Sequence, residues 1–209
     1  MINNHIHSFE NGKWRQNCYI VIDNNGKALI IDPGSDLDGI VNKVEGLGVK
    51  PVAILNTHAH YDHIGAVTGL QRNYDIPFYL HADDETLLKR ANVYKLFFES
   101  NSNLDIPSFD KAYPLESEGP CNIHGFSVSA LHTPGHTAGS VCLLLGKFLF
   151  SGDTMLPNGP GRSDLPGGDV DALKDSLKKL RRLPDETIVF PGHGKSFDLH
   201  TFFQRYDES

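Results

Sequence analysis

Three histidines and an aspartate fall within six consecutive residues, His58-Ala59-His60-Tyr61-Asp62-His63, directly after the apolar run 51–55. Imidazole nitrogen and carboxylate oxygen are good ligands for zinc and the first-row metals. Isolated histidines are usually accidental, but four donors at the mouth of a buried strand point to metal chemistry. The setting recurs downstream, where His136, Asp153 and His193 each follow a strand-like segment. His58 and His60 are two apart, so an extended or tightly turning backbone directs both to one point. Asp62 and His63 lie where the chain turns into a helix and can reach a neighbouring position. Seven donors are too many for one tetrahedral ion. Two ions sharing a carboxylate use them all and leave positions open for water and substrate. Asp153 follows Gly152 and is the candidate bridge. The expected cofactors are two divalent metal ions, zinc first, with iron or manganese as alternatives.

The elements that must position these donors can be read from the apolar periodicity. Strand signals appear at 2–9, 18–23 and 27–31, with Asn24-Asn25-Gly26 as a hairpin turn between the last two. Asp32-Pro33-Gly34 stops the strand. Ser35 or Asp36 then caps a helix with Leu37, Ile40, Val41 and Val44 on its apolar face. Residues 52–55 form a short buried strand that feeds the histidine cluster. A helix over 64–73 and a strand over 78–80 follow. Residues 83–98 read as one helix packing through Leu87, Leu88, Val93, Leu96 and Phe97, and 99–114 as a loop or lid. The second half reads as strands at 126–131, 140–145 and 147–150, a helix over 169–183 and a closing strand at 187–190. Pro134-Gly135 and Pro191-Gly192 make rigid turns that aim His136 and His193. Alternating strands and helices with added hairpins define a mixed α/β domain.

Composition narrows the field. A 209-residue chain with 39% apolar and 22% charged residues suits one globular domain, 1–209. A net charge of -7 without a broad basic stretch argues against a nucleic-acid partner. No apolar run approaches the roughly 20 residues that span a bilayer, and the N-terminus does not read as a signal peptide. No membrane association and a cytoplasmic location are therefore expected, as a monomer or small homo-oligomer. Cys18, Cys121 and Cys142 show no Cys-x-x-Cys spacing and read as reduced thiols. The glycine-rich pieces lack the order of a nucleotide loop.

Residues 57–63, with Pro134-Gly135-His136-Thr137-Ala138-Gly139-Ser140, Gly152-Asp153 and Pro191-Gly192-His193-Gly194, together resemble the metallo-β-lactamase superfamily. Within it the likeness is to short hydroxyacylglutathione hydrolases of the glyoxalase II type. The resemblance implies an αββα sandwich of two mixed sheets flanked by helices. It also implies that His58, His60 and His136 hold a first ion and Asp62, His63 and His193 a second, with Asp153 bridging. Longer glyoxalase II proteins continue past the residue matching His193 into a helical glutathione-binding domain. Only residues 194–209 follow His193 here, so no such domain is expected.

The implied reaction is thioester hydrolysis, by attack of a metal-bridging hydroxide on the carbonyl of a small acyl thioester such as a 2-hydroxyacyl one. Asp62 and Asp153 are the catalytic candidates. A thiolate, from a thiol of pKa about 8.5, leaves with little acid assistance, which favours thioesters over amides. Arg162 is the candidate for gripping a substrate carboxylate, with an ion pair to Asp164 or Asp169 as its structural alternative. Tyr61 is a candidate entrance residue, with packing as its alternative, and His132 a candidate outer partner of the ligands. His5, His7, His81, His124 and His200 read as ordinary histidines. Two rival functions stay open: a mononuclear iron persulfide dioxygenase using His58, His136 and Asp153, and a non-catalytic metal-binding protein.

Overall fold

A side-chain-capped turn begins the first sheet. Asp23 Oδ1 accepts the backbone N–H of Asn25 and of Lys27, each at 2.8 Å. The turn joins β2 (Gln16–Ile22) to β3 (Lys27–Ile31), and β1 (His5–Asn11) pairs antiparallel with β2. The computed structural model describes residues 5–99, 103–107, 111–113 and 120–207. The chain divides into two units, Met1–Ala112 and Tyr113–Ser209. The expected strand residues 2–4 and parts of the expected loop 99–114 lie outside the described residues. Among the described residues, no helix is long and apolar enough to cross a membrane.

In the first unit, β4 (Lys50–Leu55), β5 (Phe78–Leu80) and β6 (Lys111–Ala112) add in parallel beyond β3, giving the order β1-β2-β3-β4-β5-β6. The helix α1 (Leu37–Leu47) crosses from β3 to β4. Asp36 caps it by accepting the Gly39 N–H, Gly48 ends it in the left-handed region, and Ile40 and Val44 turn inward. Ile20, Ile30, Ile54 and Phe78 meet Ile40, Ile64, Leu70 and Leu88 in one core. Each fully buried side chain of this size contributes about 1.5–3 kcal/mol.

Two helices differ from expectation. The segment read as 64–73 is two pieces, α2 (Tyr61–Ile64) and α3 (Val67–Tyr74). Between them the Ala66 N–H donates to Gly34 O at 2.6 Å. The segment read as 83–98 is a 3-10 turn (Ala82–Asp84), α4 (Glu85–Lys89) and α5 (Ala91–Phe98), broken at Arg90. The break resets the helical phase. Leu88 packs inward as expected, but Val93, Leu96 and Phe97 are 53%, 58% and 77% exposed, and Ala91 and Lys95 take the inward places.

In the second unit, β7 (Cys121–Ile123), β8 (Phe126–His132), β9 (Val141–Leu145) and β10 (Phe148–Gly152) form an antiparallel meander. A two-stranded ribbon of β11 (Met155–Leu156) and β12 (Gly159–Pro160) follows, then α6 (Val170–Leu180). Next, β13 (Ile188–Pro191) pairs parallel to β10, and β14 (Phe197–Asp198) closes the edge in the order β14-β13-β10-β9-β8-β7. Leu177 and Leu180 of α6 share a core with Leu149, Val189 and with Phe202 and Phe203 of α7 (Leu199–Asp207), a helix not anticipated from periodicity. Each unit thus supplies a mixed sheet with helices packed on it, as the expected fold class requires.

Candidate metal centre

The ligand loop of the first unit emerges from the end of β4. Its backbone is tied down on several sides. The Ala59 N–H, between His58 and His60, donates to the buried Asp84 Oδ2 at 2.8 Å. Asn56 Nδ2 donates to His63 O at 3.0 Å. His60 is extended at φ -65° and ψ 144° and starts α2, so Asp62 and His63 sit in a helical turn. The loop thus changes from extended to helical within the motif, as the spacing of its donors suggested.

Asp32, at the end of β3, organises the imidazoles. Its carboxylate accepts the Thr57 N–H and the Thr57 hydroxyl, each at 2.7 Å, and its Oδ2 lies 3.1 Å from His63 Nδ1. Because the Thr57 hydroxyl is already donating to Asp32, it accepts from His58 Nδ1, 3.0 Å away. The His58 ring therefore carries its hydrogen on Nδ1 and leaves Nε2 as a lone-pair donor, the arrangement that orients metal-binding histidines. One donor atom each from Asp32, His58 and His63 lies within 4.8 Å of the others. Asp32 holds φ +46°, a left-handed conformation disfavoured for a side-chain-bearing residue. Sequence reading took this residue only as a strand stop. A carboxylate at the mouth of a strand beside a histidine cluster was the signal that could have found it.

The first pair of donors suits a cation. His58 Nε2 and His60 Nδ1 are 3.1 Å apart. Two nitrogens bound to one tetrahedral zinc, each about 2.0–2.1 Å from it, stand roughly 3.3 Å apart. Asp62 Oδ2 lies 3.8 Å from His63 Nε2. Tyr61, between these donors, is buried and stacks on Phe98 at 6.2 Å. Burial first, then the charges of Asp62 and Glu99, push its phenol well above the usual value. It stays a neutral packing residue.

The second unit places its donors on three separate turns. Asp153 and His193 follow the parallel neighbours β10 and β13, whose ends are joined by Gly192 N–H donating to Gly152 O at 2.7 Å. Asp153 Oδ2 is 3.7 Å from His136 Nε2 and 3.7 Å from His193 Nε2. His136 Nδ1 donates to the backbone carbonyl of Arg162 at 2.7 Å, which again leaves Nε2 as the donor. The turn carrying His136 is held by α6: the Ser176 hydroxyl donates to Pro134 O at 2.7 Å and the Asp169 N–H to Gly135 O at 2.9 Å. Gly135 adopts φ +132° and abuts the Leu173 backbone, where a Cβ would not fit. His132 Nε2 meets Ala138 O at 2.9 Å, so it braces the same turn. Gly161 lies so close to Asp153 that an added Cβ would collide with the Asp153 carbonyl.

The Arg162 side chain faces Asp164 in a two-point pair at 2.8 and 2.9 Å, the structural alternative weighed for it. Its hydrogen bond and charge lower the Asp164 carboxyl to about 2, and the guanidinium is raised in turn. Cys18 and Cys142 are buried free thiols. Burial pushes Cys142 up to about 11 and Cys18 well above its usual value, so neither is a nucleophile. His81 Nδ1 accepts the Asp83 N–H at 3.1 Å and His200 lies 3.5 Å from Asp185.

Of the seven expected ligands, four thus stand in the first unit and three in the second. The sequence profile described as the Metallo-beta-lactamase superfamily matches residues 11–193. BLEG-1, a B3 metallo-beta-lactamase, has a similar structure with a TM-score of 0.89 and 33% identity, covering 96% of this chain and 97% of that one. TTHA1623, solved in a di-iron-bound form, gives a TM-score of 0.82 and 38% identity over 93% and 95% of the two chains. Hydroxyacylglutathione hydrolase GloC of Haemophilus influenzae is 31% identical over 188 residues, 87% of this chain and 86% of that protein. On its ligand motifs, its two mixed sheets and these near full-length likenesses, the chain belongs to the metallo-beta-lactamase superfamily.

Proposed function

We propose that this chain is a binuclear metal-dependent hydrolase that cleaves acyl thioesters, in the manner of a hydroxyacylglutathione hydrolase. The observation that carries the reading is Asp153, whose Oδ2 is equidistant, at 3.7 Å, from the Nε2 atoms of His136 and His193. A carboxylate so placed could be shared between two ions. On the superfamily's pattern, His58, His60 and His136 would hold one ion and Asp62, His63 and His193 the other. Bound divalent cations supply Lewis acidity, which lowers the pKa of water toward about 7 and polarises a carbonyl. Asp62 would orient a water molecule through its second carboxylate oxygen. The Thr57 hydroxyl and the Arg162 carbonyl keep the His58 and His136 hydrogens on Nδ1, so Nε2 stays available. The similarity to a protein named as a hydroxyacylglutathione hydrolase supports thioesters, as does the ease with which a thiolate departs without a general acid.

Elemental analysis of protein purified without chelator, combined with a lactoyl-thioester assay, tests the reading. Two equivalents of zinc, iron or manganese per chain and thiol release are expected. One iron per chain with oxygen consumption on a persulfide, and no thioester cleavage, overturns it in favour of the dioxygenase.

A further inference from the structure

An amphipathic helix normally turns its apolar side inward, and α5 does the reverse. Lys95 is only 7% exposed, while Leu96, Phe97 and Phe98 lie open at 58%, 77% and 44%. Turning even one such side chain outward forgoes about 1.5–3 kcal/mol. Contiguous exposed apolar surface of this kind marks a binding site more often than it marks chance.

The inverted helix is held by a polar latch. Lys95 Nζ lies 3.7 Å from Glu99 Oε2, and Glu99 Oε1 accepts the indole N–H of Trp14 at 2.6 Å. Trp14 stands at the turn between β1 and β2, so the latch pins that turn to the end of α5. It also sets Trp14 against Phe98, edge to face at 6.3 Å. The wall is continuous with the ligand loop through one residue. Tyr61, between His60 and Asp62, stacks on Phe98 at 6.2 Å and meets Trp14 edge-on at 6.5 Å. Trp14 and Phe98 remain 43% and 44% exposed over this buried ring. Fixed aromatic rings offer large contact area at small entropic cost.

We propose that Trp14 and Phe98 form a specificity wall for the acyl group, so that the preferred substrates are 2-hydroxyacyl thioesters bearing an aryl or longer alkyl substituent. The proposal rests on the thioesterase reading and names the substrate class within it. Aromatic faces recognise an uncharged apolar group, and the methyl of a lactoyl group leaves most of the wall uncovered. A few carbons of added apolar contact are worth roughly 10–200-fold in selectivity.

The sequence contains a single tryptophan, so its fluorescence reports on this wall alone. The test combines two measurements on the metal-loaded protein. The first compares kcat/KM for mandeloyl and lactoyl esters of one thiol. The second follows Trp14 emission during titration with the product acids mandelate and lactate. The expected result is a mandeloyl preference of at least about tenfold, with a saturable emission change for mandelate only. In Trp14→Ala and Phe98→Ala the preference should fall toward one while metal content is retained, and Trp14→Phe should restore it. Thioester cleavage without mandeloyl preference and without an emission change overturns the wall and leaves the thioesterase reading intact. An emission change for mandelate with no thioester cleaved supports the wall and overturns that reading instead.

Discussion

The two units build their shares of the ligand set in opposite ways. The first concentrates four proposed ligands in six residues and secures them with side chains: Asp32 and Asp84 reach the loop from 25 residues away, and Asn56 and Thr57 brace it from its base. The second spreads three proposed ligands over three turns and secures them mainly with backbone, the Ser176 hydroxyl and the His132 ring aside: the Arg162 carbonyl, the Gly152–Gly192 hydrogen bond and close approaches at Gly135 and Gly161. Support by side chains is vulnerable to deleting a functional group. Support by backbone is vulnerable to adding one.

The sharpest test acts where the second unit's donors meet. Asp153→Ala should lower thioester hydrolysis by more than about 100-fold and reduce bound metal below two equivalents, with the folded circular-dichroism spectrum retained. Full activity at unchanged metal content would refute the shared-carboxylate role. Next in size is Asp32→Ala, which strands the Thr57 donors and releases His63 Nδ1. Metal affinity should fall about 10–100-fold, and unfolding in denaturant should show a loss of roughly 1–3 kcal/mol for the buried donors left unsatisfied. Unchanged metal titration in that variant would show that the first unit does not depend on its side-chain support.

Gly161→Ala is the matching break in the second unit, because the new methyl meets the Asp153 carbonyl. Overpacking of this kind costs about 1–3 kcal/mol, and metal retention under chelator challenge should weaken. Arg162→Ala should do far less to the metal, since the carbonyl that orients His136 survives the change. Only KM should rise, and only for substrates bearing a carboxylate. Loss of metal in Arg162→Ala would erase the contrast between the units. The smallest effect belongs to Asp164, held at about 2 by Arg162. Its depressed value means that the pair's contribution is present above the ordinary carboxylate range near 3.8 and is lost as pH falls through about 2. An NMR titration midpoint near 3.8 would show the pair to be absent in solution.

The same contrast explains what was legible in the sequence. Every proposed ligand could be read because histidine and aspartate next to Pro-Gly turns or strand ends are chemically conspicuous. The strands could be read because β2, β3 and β4 are apolar runs with clear stops. Asp32 and Asp84 escaped notice because a lone aspartate after a strand or before a helix also reads as a stop or a cap. The partners they hold lie 25 residues away. The Arg162 carbonyl has no residue-type signature at all. The outward face of α5 was misread because an apolar stripe specifies an inward face only while the helix keeps one phase, and the break at Arg90 ends that phase. The helix α7 was missed because short terminal segments take their order from the core they join, here through Leu199, Phe202 and Phe203.

In the first unit, β3, β4 and β5 run side by side in parallel, and Asp32, the ligand loop and Asp84 all come just after their carboxyl ends. Chemistry and framework are therefore written in alternating stretches of the sequence. A mutation in a loop changes what the unit binds without shifting the register of any strand. A mutation in a strand tests folding before it tests function. Such a layout lets heredity vary the reaction while holding the scaffold constant, and open α/β sheets that put their ligands beyond the strand ends share this separation.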